Sequence, residues 1–449
     1  MLYCRGSNNR MSERRLIREE CVRKGATMMT AAAVVVIALV FGNRLTPVQG
    51  QSTDGVRVAA VPGQKGDQDM FGAYEIVSNW PKPITALPGR DQWTWGAGEY
   101  VFAESPNRVC ILQRGELPNT QRPKSIKLPQ LGPNIEFPIG RLPWRDATSA
   151  SPPGALEKPD GTVGDDLDVG QPGVDYRWEH IITVVDADGN MKEEWTQWDK
   201  MFRRPHAIYV SPYDPEKKVF VVDDYRHAIF IFTNDGKRLL QTIGTPNVHA
   251  SDDKHFYRPT FIDWLPDGTF FVADGYANTR VVKFDKNGKY LMAWGEKGTP
   301  PNETRPGYFN SVHGIAVDPQ TRRVFVNDRN NHRVQVFDEN GKYLSEWSFG
   351  APPSDVHLFI MDSNRHLWAA DRGTSKMLGY DLNGNFLYSW GTWGDFPGGM
   401  WGVHGLSVDQ QGNFYVAEVD SGRVQKYRPR AGANPAFLVG KAAGYPATR

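Results

Sequence analysis

Cysteine is scarce in this 449-residue chain, which has only Cys4, Cys21 and Cys110. The first two fall in a stretch that reads as an export leader. Cys110 is then alone in the mature chain, an intramolecular disulfide is excluded, and an exported fold must rely on its core and any bound metal. Excess charge of one sign is also missing. Lys and Arg total 52 against 51 Asp and Glu, a net charge of +1, and the two signs are interspersed. This excludes the basic footprint of a nucleic-acid binder or of a protein drawn to anionic lipid. A hydrophobic run long enough to span a bilayer comfortably is lacking as well. MMTAAAVVVIALVF, residues 28–41, is fourteen residues long, follows Arg23 and Lys24, and precedes the small and polar VQGQ at 48–51. That charged, apolar, small-residue order predicts a secretory signal, hence a periplasmic or secreted protein. An uncleaved anchor is the alternative, and the only membrane attachment expected.

What is abundant is turn chemistry and aromatic surface, with 45 Gly, 32 Pro and 14 Trp, which favours many short strands. After residue 200 one pattern recurs: an apolar strand, a turn, a strand ending in an acid, a polar turn, and a strand ending in an aromatic. VFVVDDYRHAIFIF, TFFVADGYANTRVVKF, RVFVNDRNNHRVQVF, HLWAADRGTSKMLGY and NFYVAEVDSGRVQKY carry it. Their acids, Asp223, Asp274, Asp328, Asp371 and Glu418, are spaced 51, 54, 43 and 47 apart. After the first four comes a hairpin with an Asp-Gly or Asn-Gly turn, as in DKNGKYLMAWG. Each unit is a four-stranded antiparallel sheet that cannot bury both faces alone, so the units stack radially. WTWGAGEYVF and NRVCILQRG, resuming at HIITVVDADGNMKEEW, add a unit. The fold class is therefore all-β, a six-bladed β-propeller over 74–440. A leader (1–50), a linker (51–73) and a tail (441–449) flank it. Residues 116–178, rich in Pro, Gly and Asp, read as a long loop inserted in blade one. Either FLVG near the C-terminus or YEIV near residue 74 closes the ring.

Four of the ten histidines occupy one register, the start of the innermost strand: His206, His313, His357 and His404. Blade three has Thr260 there, and blade one has no histidine nearby. Blades two, four and six of a six-bladed ring are related by a three-fold axis, so His206, His313 and His404 should converge on the central channel. Three imidazoles with an open fourth position is the arrangement of catalytic zinc. Any one of them could equally be a turn or channel-lining residue, and His357, between two of them, is a further candidate contact. A second register, one or two residues beyond the acid position, holds Arg114, Arg329, Arg372, Tyr225 and Tyr276. These turns face the same mouth, so cationic and phenolic groups are expected to rim the opening above the histidines.

The repeats resemble the NHL family. More narrowly, DGYANTRVVKFDKNGKYLMAWGEKG is similar to the third blade of the peptidyl-α-hydroxyglycine α-amidating lyases, six-bladed zinc-dependent propellers. The repeats resemble the family over about 74–440, and the motifs are sharp in a few places only. The resemblance implies His206, His313 and His404 as zinc ligands. It also implies Tyr276 as the catalytic tyrosine through DGYANTR, Arg329 as the carboxylate-binding arginine through NDRNNHRVQVF, and Arg114 as a further active-site arginine through LQRGELP. The lyases carry an Asp after the last histidine for a structural Ca2+, whereas Gly405 stands here. That counts against calcium, although carbonyls and water could keep a weakened site.

The implied activity is cleavage of the C–N bond of an N-acyl- or peptidyl-α-hydroxyglycine to an amide and glyoxylate. The expected partner is a small-molecule or peptide substrate with a free carboxylate, and a monomer is expected. With no second domain legible, the lyase would act on material hydroxylated elsewhere. The rival readings are a non-enzymatic exported NHL propeller that binds a peptide, glycan or protein, a lactonase-like propeller hydrolase centred on calcium, and a streptogramin-lyase type with seven blades.

Overall fold

A computed structural model describes residues 69–119, 126–127, 136–137, 173–174, 176–299, 303–350 and 352–441. The expected leader, most of the linker, most of the insertion and residues 442–449 lie outside them. The described residues form six four-stranded antiparallel sheets arranged as blades. Blade one comprises Trp93–Ser105, Arg108–Pro118, Ile182–Val185 and Met191–Glu194. Blades two to five begin, innermost strand first, at Pro205–Val210, Ile262–Trp264, Val312–Val317 and Val356–Met361. Blade six runs Val403–Val408, Phe414–Glu418 and Arg423–Pro429, and its outer strand is Tyr74–Ile76, paired with Tyr427 to Pro429. YEIV therefore closes the ring. FLVG instead begins inside a short 3-10 turn, Pro435–Phe437, with the Val439 amide on the Tyr74 hydroxyl and Phe437 stacked on Tyr388.

The apolar runs follow from the stacking of blades. Second and third strands such as Phe270–Asp274 and Arg280–Phe284 are buried along their whole length, because a neighbouring blade covers each face. Outer strands such as Leu239–Ile243 reach solvent and are mixed. Core side chains at this depth are each worth about 1.5–3 kcal/mol of burial.

The repeated acids have a structural task. Asp223, Asp274, Asp328, Asp371 and Glu418 accept the main-chain N–H of Arg203, Tyr257, Asn310, Asp355 and Trp401, at 2.7 to 2.9 Å. Each acid thus ties the end of its strand to the chain two or three residues ahead of the register that faces the channel. In blades three, four and six an arginine opening the third strand, Arg280, Arg333 or Arg423, closes on the same carboxylate. The residue before each third strand in blades two to six has positive φ: His227, Thr279, His332, Ser375 and Gly422. Histidine tolerates that conformation better than most side chains, so His227 and His332 meet a backbone requirement of the turn.

In blade one the second strand continues past the turn position at which blade three carries Tyr276. The second strand runs on to Pro118, Glu116 pairs with Arg177, and Ile126–Lys127 pairs with Glu136–Phe137.

Candidate metal centre and substrate mouth

In blades two, four, five and six the ladder between first and second strands slips at the histidine. The breaks fall at Pro205/Ala207, Val312/Ile315, Val356/Leu358 and Val403/Gly405. Blade one slips likewise at Gly98/Tyr100, around Glu99. Such a bulge re-aims the extra residue out of the pleat, here into the channel. Six positions thus ring the axis: Glu99, His206, Thr260, His313, His357 and His404. Glu99 is hard to place from the sequence, because blade one lacks the histidine that marks this register in blades two, four, five and six. Its signal was the GAGEYVF bulge in blade one.

The ring alternates. His206, His313 and His404 donate through Nδ1 to the main-chain carbonyls of Thr260 (3.1 Å), His357 (2.6 Å) and Glu99 (2.9 Å), the same register in the following blade. A carbonyl only accepts, so Nδ1 carries the proton and Nε2 is left as the donor atom. This is the orientation that metal-binding imidazoles receive from their outer partners. The three rings lie 4.6 to 5.4 Å apart by centroid, and their ligand atoms fall within 4.8 Å of one another. Burial, reinforced by mutual repulsion among the rings and nearby arginines, holds all three pKa values well below the ordinary histidine value. They are therefore neutral, as ligation requires. Tetrahedral zinc at about 2.0–2.1 Å sets its nitrogens roughly 3.3 Å apart, so the trio fits such an ion after slight closure. His357 is outside the group, with Nε2 3.3 Å from Asp355, and burial takes its pKa down to about 4. Phe261 packs against all three rings from the channel side.

Tyr276 stands over this centre. Its hydroxyl is 2.7 Å from His313 Nε2 and 3.2 Å from His206 Nε2. The preceding glycine brings it there: a Cβ on Gly275 would lie 1.3 Å from the Val312 carbonyl oxygen, so only glycine lets the turn press against the strand carrying His313. Burial raises the Tyr276 pKa, opposed by Arg204, Arg329 and Arg258. Arg204 and Arg258 escaped the sequence reading. Both lie two residues ahead of the register, in RRPH and YRPT, share Asp224, and place their guanidinium groups over the Tyr225 and Tyr276 rings at 4.6 to 5.9 Å. The lead-in R-P was the signal.

The predicted arginines part company. Arg329 lies at the mouth and meets Asp355 through Nε at the long distance of 3.5 Å. Arg114 is buried beneath the rim, 3% exposed, and held 3.0 Å from Glu99. Burial pushes the Glu99 carboxyl up to about 7, with Arg114 and Arg204 pulling it back. Arg372 is paired with Asp420 at 2.6 Å, and Tyr225 lies between the two missed arginines. The calcium carried over by resemblance finds no support at its expected carboxylate position. A Cβ on Gly405 would lie 2.6 Å from Tyr100 Cα and 3.0 Å from the Val101 nitrogen, so blade one's backbone fills that space.

Comparison with known proteins agrees with this architecture. The NHL repeat model matches residues 309–337 and 400–427. Peptidyl-glycine alpha-amidating monooxygenase A of Xenopus laevis is 34% identical over 178 residues, 39% of this chain and 18% of that protein. Peptidyl-alpha-hydroxyglycine alpha-amidating lyase 1 of Drosophila melanogaster is 32% identical over 174 residues, 37% of this chain and 31% of that protein. The chain thus matches under a third of the length of either relative. NHL repeat-containing protein 3 of Mus musculus is 29% identical over 276 residues, 57% of this chain and 75% of that protein. The chain is an NHL-repeat, six-bladed β-propeller with a buried three-histidine group, and its relatives include proteins named as peptidyl-α-hydroxyglycine α-amidating lyases.

Proposed function

We propose that this protein is a zinc-dependent lyase that cleaves the C–N bond of an N-acyl- or peptidyl-α-hydroxyglycine, releasing an amide and glyoxylate. The observation that carries the reading is the Tyr276 hydroxyl held between the Nε2 atoms of His206 and His313. A zinc ion, when bound, supplies a Lewis acid for the substrate hydroxyl. The three imidazoles, fixed through Nδ1, keep their Nε2 lone pairs turned to that position. Ionised as the phenolate, a form that burial opposes and Arg204, Arg329 and Arg258 favour, Tyr276 takes the hydroxyl proton as general base. The O–H electron pair becomes the aldehyde π bond as the C–N bond breaks, and the proton held by Tyr276 passes to the amide nitrogen, so atoms and charge balance and the phenolate is restored. Arg329 grips the glycine carboxylate by charge-assisted bonds, displacing the long Asp355 contact. Arg204 and Arg258 hold the phenol from its flank, and Arg114, matched by Glu99, sets the charge beside His404.

The longer match, to NHL repeat-containing protein 3, carries a name that states no reaction, so a propeller that binds a peptide, glycan or protein stands as the rival reading. Elemental analysis of the purified protein together with glyoxylate release from N-acetyl-α-hydroxyglycine tests between them. One zinc per chain with glyoxylate is expected. A stable, metal-free, inactive protein would leave the binder.

A further inference from the structure

A second cavity opens on the same mouth, at the seam of blades five and six. It measures about 500 Å³ and is lined by Arg372, Trp393, Trp401, Gly402 and Asp420 among others. Gly402, two residues before His404 in the chain, places the cavity at the lead-in of the strand that carries that imidazole. Its two indoles stand 5.7 Å apart at 57°, and Trp393 is 61% exposed, a large apolar surface to leave to solvent on a soluble face. A bridge from Trp393 to Met400 and the main-chain N–H of Trp401 on Glu418 fix the loop that carries both indoles between Phe386–Trp390 and Val403–Val408. Arg372 and Asp420, 2.6 Å apart, neutralise one another on the remaining wall.

We propose that this cavity is a specificity subsite for the acyl part of the substrate, and that it takes an aromatic or large apolar side chain on the residue preceding the hydroxyglycine. The inference rests on the lyase reading given above. With the glycine carboxylate on Arg329 and the hydroxyl under Tyr276, the acyl group leaves the centre along the mouth, and the seam beside His404 is the built hollow there. An aromatic side chain buries 150–250 Å² or so and prefers the edge-to-face contacts that two crossed indoles offer. The volume lies in the range that accepts a drug-sized group, so a large aromatic side chain enters with room to spare. The matched Arg372–Asp420 pair gives a charged side chain no uncompensated partner on this wall.

Two measurements on wild type and Trp393→Ala test the subsite. The first is kcat/KM for N-acetyl-phenylalanyl-α-hydroxyglycine relative to N-acetyl-α-hydroxyglycine. That ratio is expected to fall about ten-fold in the variant. An unchanged ratio overturns the proposal. The second needs no turnover: calorimetric titration with N-acetyl-phenylalanyl-glycine, expected to bind Trp393→Ala about ten-fold more weakly than wild type, with N-acetylglycine as the reference ligand. Equal binding to both proteins overturns the subsite whatever the turnover result. Weaker binding in the variant without turnover of either substrate leaves the subsite standing and removes the lyase reading.

Discussion

The Tyr276 hydroxyl lies 2.7 Å from Nε2 of His313, a residue of the next blade, and this contact couples the rim of the mouth to its floor. If the phenol is the base, Tyr276→Phe removes one oxygen and little packing. Turnover should fall about 10²–10⁴-fold, while zinc content measured by mass spectrometry stays at wild-type stoichiometry. Normal turnover would take the base out of the mechanism.

The histidine trio predicts both metal dependence and a direction with pH. Chelation should lower the melting temperature, since an ion that binds only the folded state stabilises it by mass action. His313→Ala should lower it likewise and lose the metal. In the stripped protein the buried histidines have folded pKa values below their unfolded ones, with His227 and His357 both near 4. These histidines contribute stability that is fully present above about pH 6.5 and drains as pH falls towards 4, while Glu99 and Asp263, raised to about 7, and Asp199, raised to about 6, bind protons in the folded state and oppose the loss. Denaturant midpoints of wild type and His227→Asn between pH 7 and 4.5 isolate one histidine's share, and the variant should lose less on acidification. An equal or larger loss in the variant contradicts the sign.

Gly275 makes a sharper geometric prediction. Because the space for a Cβ is taken by the Val312 carbonyl, Gly275→Ala must push the Tyr276 turn off blade four. Roughly 1–3 kcal/mol of stability should go, and activity should drop as far as in Tyr276→Phe. An active, fully stable alanine variant would show that the turn has room to shift.

Cys110 should be chemically silent in the folded state. It is fully buried on the second strand of blade one, and burial pushes its thiol up to about 12. Peptide-resolved alkylation at pH 8 should label it only after unfolding. Labelling of the native protein would mean that blade one opens.

The blades were legible because their signals are local. A strand ending in Asp, a hairpin closed by Asn-Gly, and a histidine at a fixed offset are all set by neighbours within one repeat. Even the trio could be foreseen, since six-fold repetition turns sequence spacing into angle. Glu99 stands in the histidine register and Arg204 and Arg258 two residues ahead of it, but residue type alone does not mark such side chains as facing the mouth, and the bulge and the R-P lead-in that do are faint signals.

The sequence by itself determined the repeat, the strand order within each blade and the register that lines the channel, since strand periodicity and turn chemistry act over a few residues. Only the tertiary structure decided which strand closes the ring, that Arg114 is buried on Glu99 while Arg329 stays at the mouth, and that Trp393 and Trp401 form a hollow beside His404. Each depends on contacts between blades, which exist only once the ring has closed and carry no periodic trace in the chain.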